Sequence, residues 1–255
     1  MSVELTRDDA VATITISNPD RKNAIDAPTA RQMADHVADV AADDSVRCVV
    51  VTGEGEAFCS GLDLAGDMGG GDVVAELDAG LNAIVRRLMR MEKPTVAKVP
   101  GPAVGAGASI ASACDFVYPV EGTFFEWGFT NIGLAPDTGA TYVLPRLVGV
   151  RQALELLITG RRVAADEAVN LGIANETVPE SDFESVVADR AAMLAERPTL
   201  AVGAAKRLVY RSHQRSMEET LREEALAQSA LMESDDFMEG VAAFLADREP
   251  EFEGR

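Results

Sequence analysis

The sequence predicts an α/β fold of repeated strand–strand–helix units closed by a helical tail. Three observations carry this expectation. Apolar residues alternate with polar ones along the first strands; in Val11 to Ser17, Ala12, Ile14 and Ile16 share one face. Between the strands, apolar residues recur at helical spacing, as in Val74, Leu77, Leu81, Ile84, Leu88 and Met91. From Arg151 onward helical patterns dominate, with one short strand near Ala174 to Val178.

In chain order, Val3 to Thr6 and Val11 to Ser17 read as strands joined by an Arg-Asp-Asp turn. Asp26 can cap a following helix, with Pro28 tolerated in its first turn. Ala30, Met33, Val37 and Val40 give that helix its apolar face. Arg47 to Thr52 contains CVVV, a buried strand, and Leu62 to Asp72 reads as a mobile Gly-rich loop. One long helix over Val74 to Met91 follows, then a strand at Thr95 to Val99, a helix of small residues at Gly105 to Cys114 and a strand at Phe116 to Val120. Arg197-Pro198 is a joint, because proline disfavours helix in the residue before it. It divides a body, residues 1–197, from a tail, residues 198–255, in which Thr199 to Val209, Met217 to Met232 and Phe237 to Ala246 read as helices.

The 255 residues are 47% hydrophobic but only 5% aromatic, so Ala, Val and Leu must fill the core. No apolar run reaches the ~18–20 residues of a membrane span, and no signal peptide is expected. Cys48, Cys59 and Cys114 form no CxxC pair and read as reduced, buried thiols of a cytoplasmic protein. A net charge of −19 argues against nucleic-acid binding, which needs clustered cations. The cations are 4 Lys and 19 Arg, and scarce lysine beside excess acid fits a halophilic source. His36 and His213 lack ligand spacing, so no metal site is expected.

Two Gly-rich stretches carry the chemistry: GEGEAFCSGLDL, Gly53 to Leu64, and GPAVGAGASIASACD, Gly101 to Asp115. Each reads as a strand running into a loop and a helix start. Such loops present N–H groups that no helix partner has claimed. Two aimed at one point form an oxyanion hole, a device suited to making an enolate from a thioester. Gly107-Ala108-Ser109-Ile110-Ala111 distantly resembles the G-x-S-x-G elbow of serine hydrolases, with His213 downstream, but its final Gly is missing.

The chain resembles the crotonase superfamily, the enoyl-CoA hydratase/isomerase family, along its whole length, and within it the ring-epoxide and enoyl-CoA isomerase-like members. The resemblance rests on SNPDRKNAID (Ser17 to Asp26), AFCSGLDL (Ala57 to Leu64), GPAVGAGASIASACD, GFTNIGLAPDTGATYVLPRLVG (Gly128 to Gly149), LITGRRVAADEAVNLGIANETV (Leu157 to Val178) and DDFMEGVAAFLADREPEF (Asp235 to Phe252), in family order. It implies a crotonase-like spiral of ββα units with a C-terminal helical trimerisation region. It also implies a homotrimer or dimer of trimers, an acyl-CoA thioester substrate, and no separate cofactor.

By the family pattern the oxyanion donors are the main-chain N–H groups of Leu62 and Ala106. The family's hydratases use two glutamates, whose places here hold Ser109 and Phe129, so water addition is not the expected reaction. Ser109 reads as a helix residue bonding back to a carbonyl. Asp137 stands where related isomerases carry an aspartate and is the expected acid/base; capping of the next helix is its alternative. Glu121 and Glu126 are rival carboxylates expected at strand edges or in solvent, and Asp63 is expected to hold its loop. Coenzyme A binding is expected from the main chain around Lys22 to Ala24 and from Ser60, Gly61, Leu62, Asp63, Leu64, Gly105 and Ala106, with Arg21 and Lys22 near the phosphates. The leading expectation is an isomerase. A hydratase using another carboxylate and a non-catalytic acyl-CoA-binding protein are its alternatives.

Overall fold

The structure, a computed structural model, describes residues 2–64 and 72–255. Chain order runs β1 (Ser2–Asp8), β2 (Val11–Ser17), α1 (Ala27–Ala42), β3 (Cys48–Gly53), α2 (Val73–Ala79), α3 (Leu81–Arg90), β4 (Thr95–Val99), β5 (Ala103–Val104), α4 (Ala106–Ser112), β6 (Phe116–Pro119) and β7 (Phe124–Glu126). It continues with α5 (Ala140–Val148), α6 (Val150–Thr159), β8 (Arg162–Ala164), α7 (Ala165–Asn170), α8 (Phe183–Ala195), α9 (Thr199–Ser212), α10 (Met217–Leu231) and α11 (Asp235–Leu245). Among the described residues, one sheet has the order β1-β2-β3-β4-β6 and a smaller one β5-β7-β8. The β1–β2 hairpin is antiparallel, and β2, β3, β4 and β6 run parallel. This is the mixed α/β architecture that the strand–helix alternation predicts.

Every residue of β3 is buried because both faces of the sheet are covered. Val49 and Val51 join the larger core with α1 and α3, while Cys48 and Val50 join a second core beneath α8. Asp26 caps α1 as its sequence position predicts, accepting from Thr29 N at 2.8 Å.

Three expectations are corrected. The single helix over Val74 to Met91 is two helices, broken at Gly80. A Cβ there would lie 2.8 Å from the Ala30 Cβ on α1, and the backbone leaves helical geometry at φ −110°, ψ −102°. Val74 is 76% exposed, so the start of the apolar stripe is not core. The strand near Ala174 to Val178 reduces to one bridge, Val120 to Val178. The short strands β5, β7 and β8 lack a sequence signal of their own. Of the loop expected over Leu62 to Asp72, residues 65–71 lie outside the described residues.

The first tail helix, α9, is pinned to the body. Lys206 Nζ meets Asp115 Oδ2 at 2.7 Å and donates to the Leu88 and Lys93 carbonyls, while Tyr210 OH donates to Asp115 Oδ1 at 3.0 Å. The Lys206 and Asp115 side chains are 6% and 14% exposed, so removing either partner strands a charge at a cost of about 3–5 kcal/mol. Arg47 ties the chain end down by donating to the Arg197 and Phe252 carbonyls and to Thr199 Oγ1. The outer faces of α10 and α11 stay apolar and uncovered, Phe244 at 85% exposure being the extreme.

Candidate active site

The two Gly-rich loops leave the carboxyl ends of adjacent parallel strands, β3 and β4, the edge where open α/β sheets place ligands. They then meet main chain to main chain. Phe58 and Cys59 donate to Pro102 O, and Val104 donates to Cys59 O at 2.8 Å. Glycine makes this approach possible. A Cβ on Gly101 would lie 1.9 Å from Glu56 O, and one on Gly107 would lie 2.3 Å from Cys59 O.

At the meeting point Gly61, at φ +92°, lies so close to the second loop that a Cβ on it would stand 3.5 Å from Ala106 N. Leu62 pairs with Ile25 in a one-residue parallel bridge; Ile25 donates to Gly61 O, and Asp63 donates to Ile25 O. Extended geometry turns the Leu62 N–H away from that partner. Ala106 opens α4, so its N–H has no intrahelical acceptor. Among the described residues neither N–H meets a protein acceptor. Gly105, at φ +56°, is held by its N–H to Glu126 O at 2.7 Å. Ser109 Oγ donates to Gly105 O at 3.0 Å, the back-bonding that its helix position predicts.

A third segment, residues 18–24, completes the rim. Arg21 and Asp63 form a two-pronged ion pair at 2.7 and 2.9 Å, so Asp63 does hold its loop. Arg21 remains half-exposed, and Lys22 is exposed at a left-handed φ of 52°. Ser60 donates from N to Lys22 O and from Oγ to Arg21 O. Ala24 is buried with its N–H on Arg21 O, whereas the Leu64 side chain is 51% exposed.

Sequence reasoning missed Asn23. It is fully buried, donates from Nδ2 to Glu54 O and Ala57 O, and accepts from Asn18 N. It therefore stitches the rim to the first donor loop. Its only sequence signal is a polar residue inside an otherwise matching motif.

Asp137 lies between a 3-10 turn (Gly128–Ile132) and α5, which packs against α4. Burial pushes its carboxyl above the usual range, partly offset by the Thr138 hydroxyl donating to Oδ1 at 2.7 Å. It does not cap α5 with its side chain: Gly139 is the N-cap, and Ala140 N–H goes to the Asp137 main-chain oxygen. Phe129 and Trp127 are buried apolar neighbours in sequence, Trp127 stacked on Phe125.

The rival acids are placed differently. Glu126 is on β7 and accepts from Arg162 Nε at 3.1 Å; Glu121 is exposed. Burial pushes the thiols of Cys48, Cys59 and Cys114 up to about 12, so none is a thiolate near neutrality. Among the described residues no cluster of His, Cys, Asp and Glu could hold a metal ion, and no helix is long and apolar enough to cross a membrane.

Comparison with known proteins matches residues 6–255 to the family model described as Enoyl-CoA hydratase/isomerase. A Rhodobacter capsulatus protein named "probable enoyl-CoA hydratase" is 37% identical over 97% of this chain and 96% of its own length. The Escherichia coli 1,2-epoxyphenylacetyl-CoA isomerase is 33% identical over 96% of this chain and 95% of its own. The crystal structure of an enoyl-CoA hydratase from Bacillus anthracis superposes with a TM-score of 0.93 at 27% identity, covering 99% of both chains.

The raised carboxyl of Asp137 has a consequence for stability. The folded state binds its proton more tightly than the unfolded chain does, so this group destabilises the fold as pH rises through its folded pKa. Below the unfolded value of ~3.9 both states are protonated and the penalty is absent. Asp137→Asn removes the penalty and keeps an oxygen for Thr138 to bond. Calorimetry of the two proteins is expected to give the variant the higher Tm, with a gap that widens from pH 3 to pH 7. A gap that narrows over that range contradicts the burial of the charge.

Proposed function

The chain belongs to the enoyl-CoA hydratase/isomerase family, and from that premise we propose that it shifts a double bond within an acyl-CoA thioester, with Asp137 as the single acid/base. The reading is supported by a carboxyl raised by burial that caps no helix with its side chain, and by two Gly-rich loops that bring Gly61, next to Leu62, against Ala106 N. The thioester oxygen accepts from the Leu62 and Ala106 N–H groups. The Asp137 carboxylate takes a proton from C2 of a 3-enoyl thioester, and the electron pair moves into a dienolate whose charge collects on that oxygen. The acid then returns the proton at C4, giving the conjugated 2-enoyl thioester. Loss of one oxyanion donor elsewhere costs ~2.7–4 kcal/mol, so the pair carries a large part of the barrier reduction. A raised pKa brings a carboxylate nearer the strength that carbon acids demand.

Hydration is the second reading, favoured by the name of the Rhodobacter relative. It requires a further acid to handle water. Ser109 and Phe129 supply none, and the Glu126 carboxylate is committed to Arg162. Coenzyme A is proposed to lie along the 18–24 rim and residues 60–64, with Lys22 as its exposed cation. The uncovered apolar faces of α10 and α11 support assembly into trimers or pairs of trimers. Light scattering is expected to return a mass of three or six chains, and a monomer mass contradicts the assembly.

The catalytic test sets wild type beside Asp137→Asn on 3-enoyl-, 2-enoyl- and ring-epoxide acyl-CoA substrates, with proton exchange followed in heavy water. Isomerisation is expected in the wild type and to fall by about 10²–10⁴-fold in the variant. Hydration of the 2-enoyl thioester that survives the substitution replaces the isomerase reading. Binding without exchange of α- or γ-protons in the wild type makes the chain a carrier.

A further inference from the structure

Helices α3 and α9 line a cavity of about 610 Å³ that none of the 18–24 rim residues reaches. Its walls hold four arginines as two i,i+4 pairs: Arg86 and Arg90 on α3, Arg207 and Arg211 on α9. Glu92 is the one carboxylate in the lining, and it pairs with Arg207. The walls therefore carry a formal +3, in a chain whose net charge is −19. Arg86 bonds to Asp78 at 2.6 Å outside the cavity. Glu223 on α10 lies in the field of Arg211 but is ion-paired with Arg215 at 2.8 Å. Arg90 and Arg211 have no ion-pair partner among the described residues.

Like charges four residues apart on a helix repel, and here two such pairs share one cavity. Arg86 and Arg207 gain an ion pair each, with Asp78 and Glu92, but among the described residues Arg90 and Arg211 gain none. The pin between the helices is made instead by Lys206, and Gln214 closes the end by donating to Tyr142 OH at 3.1 Å. A local rule broken without structural return marks a site kept for a ligand.

We propose that this cavity binds an oligophosphate, a chain of two or three phosphates. A guanidinium matches phosphate oxygens with two parallel hydrogen bonds, which a lysine cannot do. Four-residue spacing sets the two anchor points on each helix about 6 Å apart, which suits a row of anionic groups rather than a single one. The volume lies in the range of small-molecule sites. The lining includes none of Asp137, Leu62 and Ala106, although it reaches Gly139, two residues beyond Asp137.

Calorimetric titration at low salt tests it, with inorganic tripolyphosphate and ATP as probes. The variants are Arg90→Gln/Arg211→Gln, the charge-matched control Arg31→Gln/Arg222→Gln, and Arg21→Gln on the rim. Wild type, control and Arg21→Gln are expected to bind tripolyphosphate alike. The cavity variant, at a Tm equal to or above that of wild type, is expected to bind about tenfold or more weakly, because each lost contact is a charge-assisted bond. Tighter binding of ATP than of tripolyphosphate assigns the site to a nucleotide, and the reverse assigns it to free oligophosphate. No binding by wild type, equal binding by the cavity variant, or equal loss in either control overturns the proposal.

Discussion

The close approach of two stretches of main chain governs this molecule. Residues 53–61 and 101–107 touch through carbonyls and amides where any side chain would intrude, as the Gly101 and Gly107 contacts with Glu56 O and Cys59 O require. Parallel pairing of β3 with β4 brings the loop origins side by side, and the glycines let them close to contact. Their contact brings Gly61, next to Leu62, against Ala106 N, where the proposed reaction draws its two amide donors. Donors on main chain cannot swing away to solvent, which is the preorganisation that electrostatic stabilisation requires. Asn23 and the Arg21–Asp63 pair extend that contact to the rim.

In the proposed reaction Asp137 trades stability for chemistry. A carboxyl held above its ordinary range destabilises the fold near neutrality, and Thr138 repays only part of that. Burial raises it, and among the described residues Thr138 is its one side-chain donor, where a stabilising site would supply cations or several N–H donors. The Lys206–Asp115 pair shows the other solution: there a buried acid is met by an ammonium, a phenol and Thr95. One acid is thus locked in place while the other, among the described residues, is left with a single hydroxyl donor.

Much of this was legible in the sequence, and the limits have physical causes. The alternation in Val11 to Ser17, the Asp26 cap and the tail helices follow from local spacing and survive into the fold. The Gly-rich motifs announce converging loops because their glycines answer a steric demand. The break at Gly80 was hidden because the apolar stripe runs straight through it; contact with Ala30, fifty residues away, decides the matter. The Arg21–Asp63 pair and the Asn23 bonds join residues some thirty to forty positions apart, beyond the reach of periodicity. Strands β5 and β8 are two and three residues long, too short for an alternating pattern to emerge.

The central claim is that a thioester oxygen sits between the Leu62 and Ala106 amides and is polarised there. The most direct measurement is the infrared stretching frequency of a ¹³C=O-labelled acyl-CoA thioester, free and bound to the protein. Two aimed N–H donors withdraw electron density from the carbonyl, so the account predicts a lower frequency in the complex. A bound thioester whose carbonyl frequency matches that of the free ligand contradicts it.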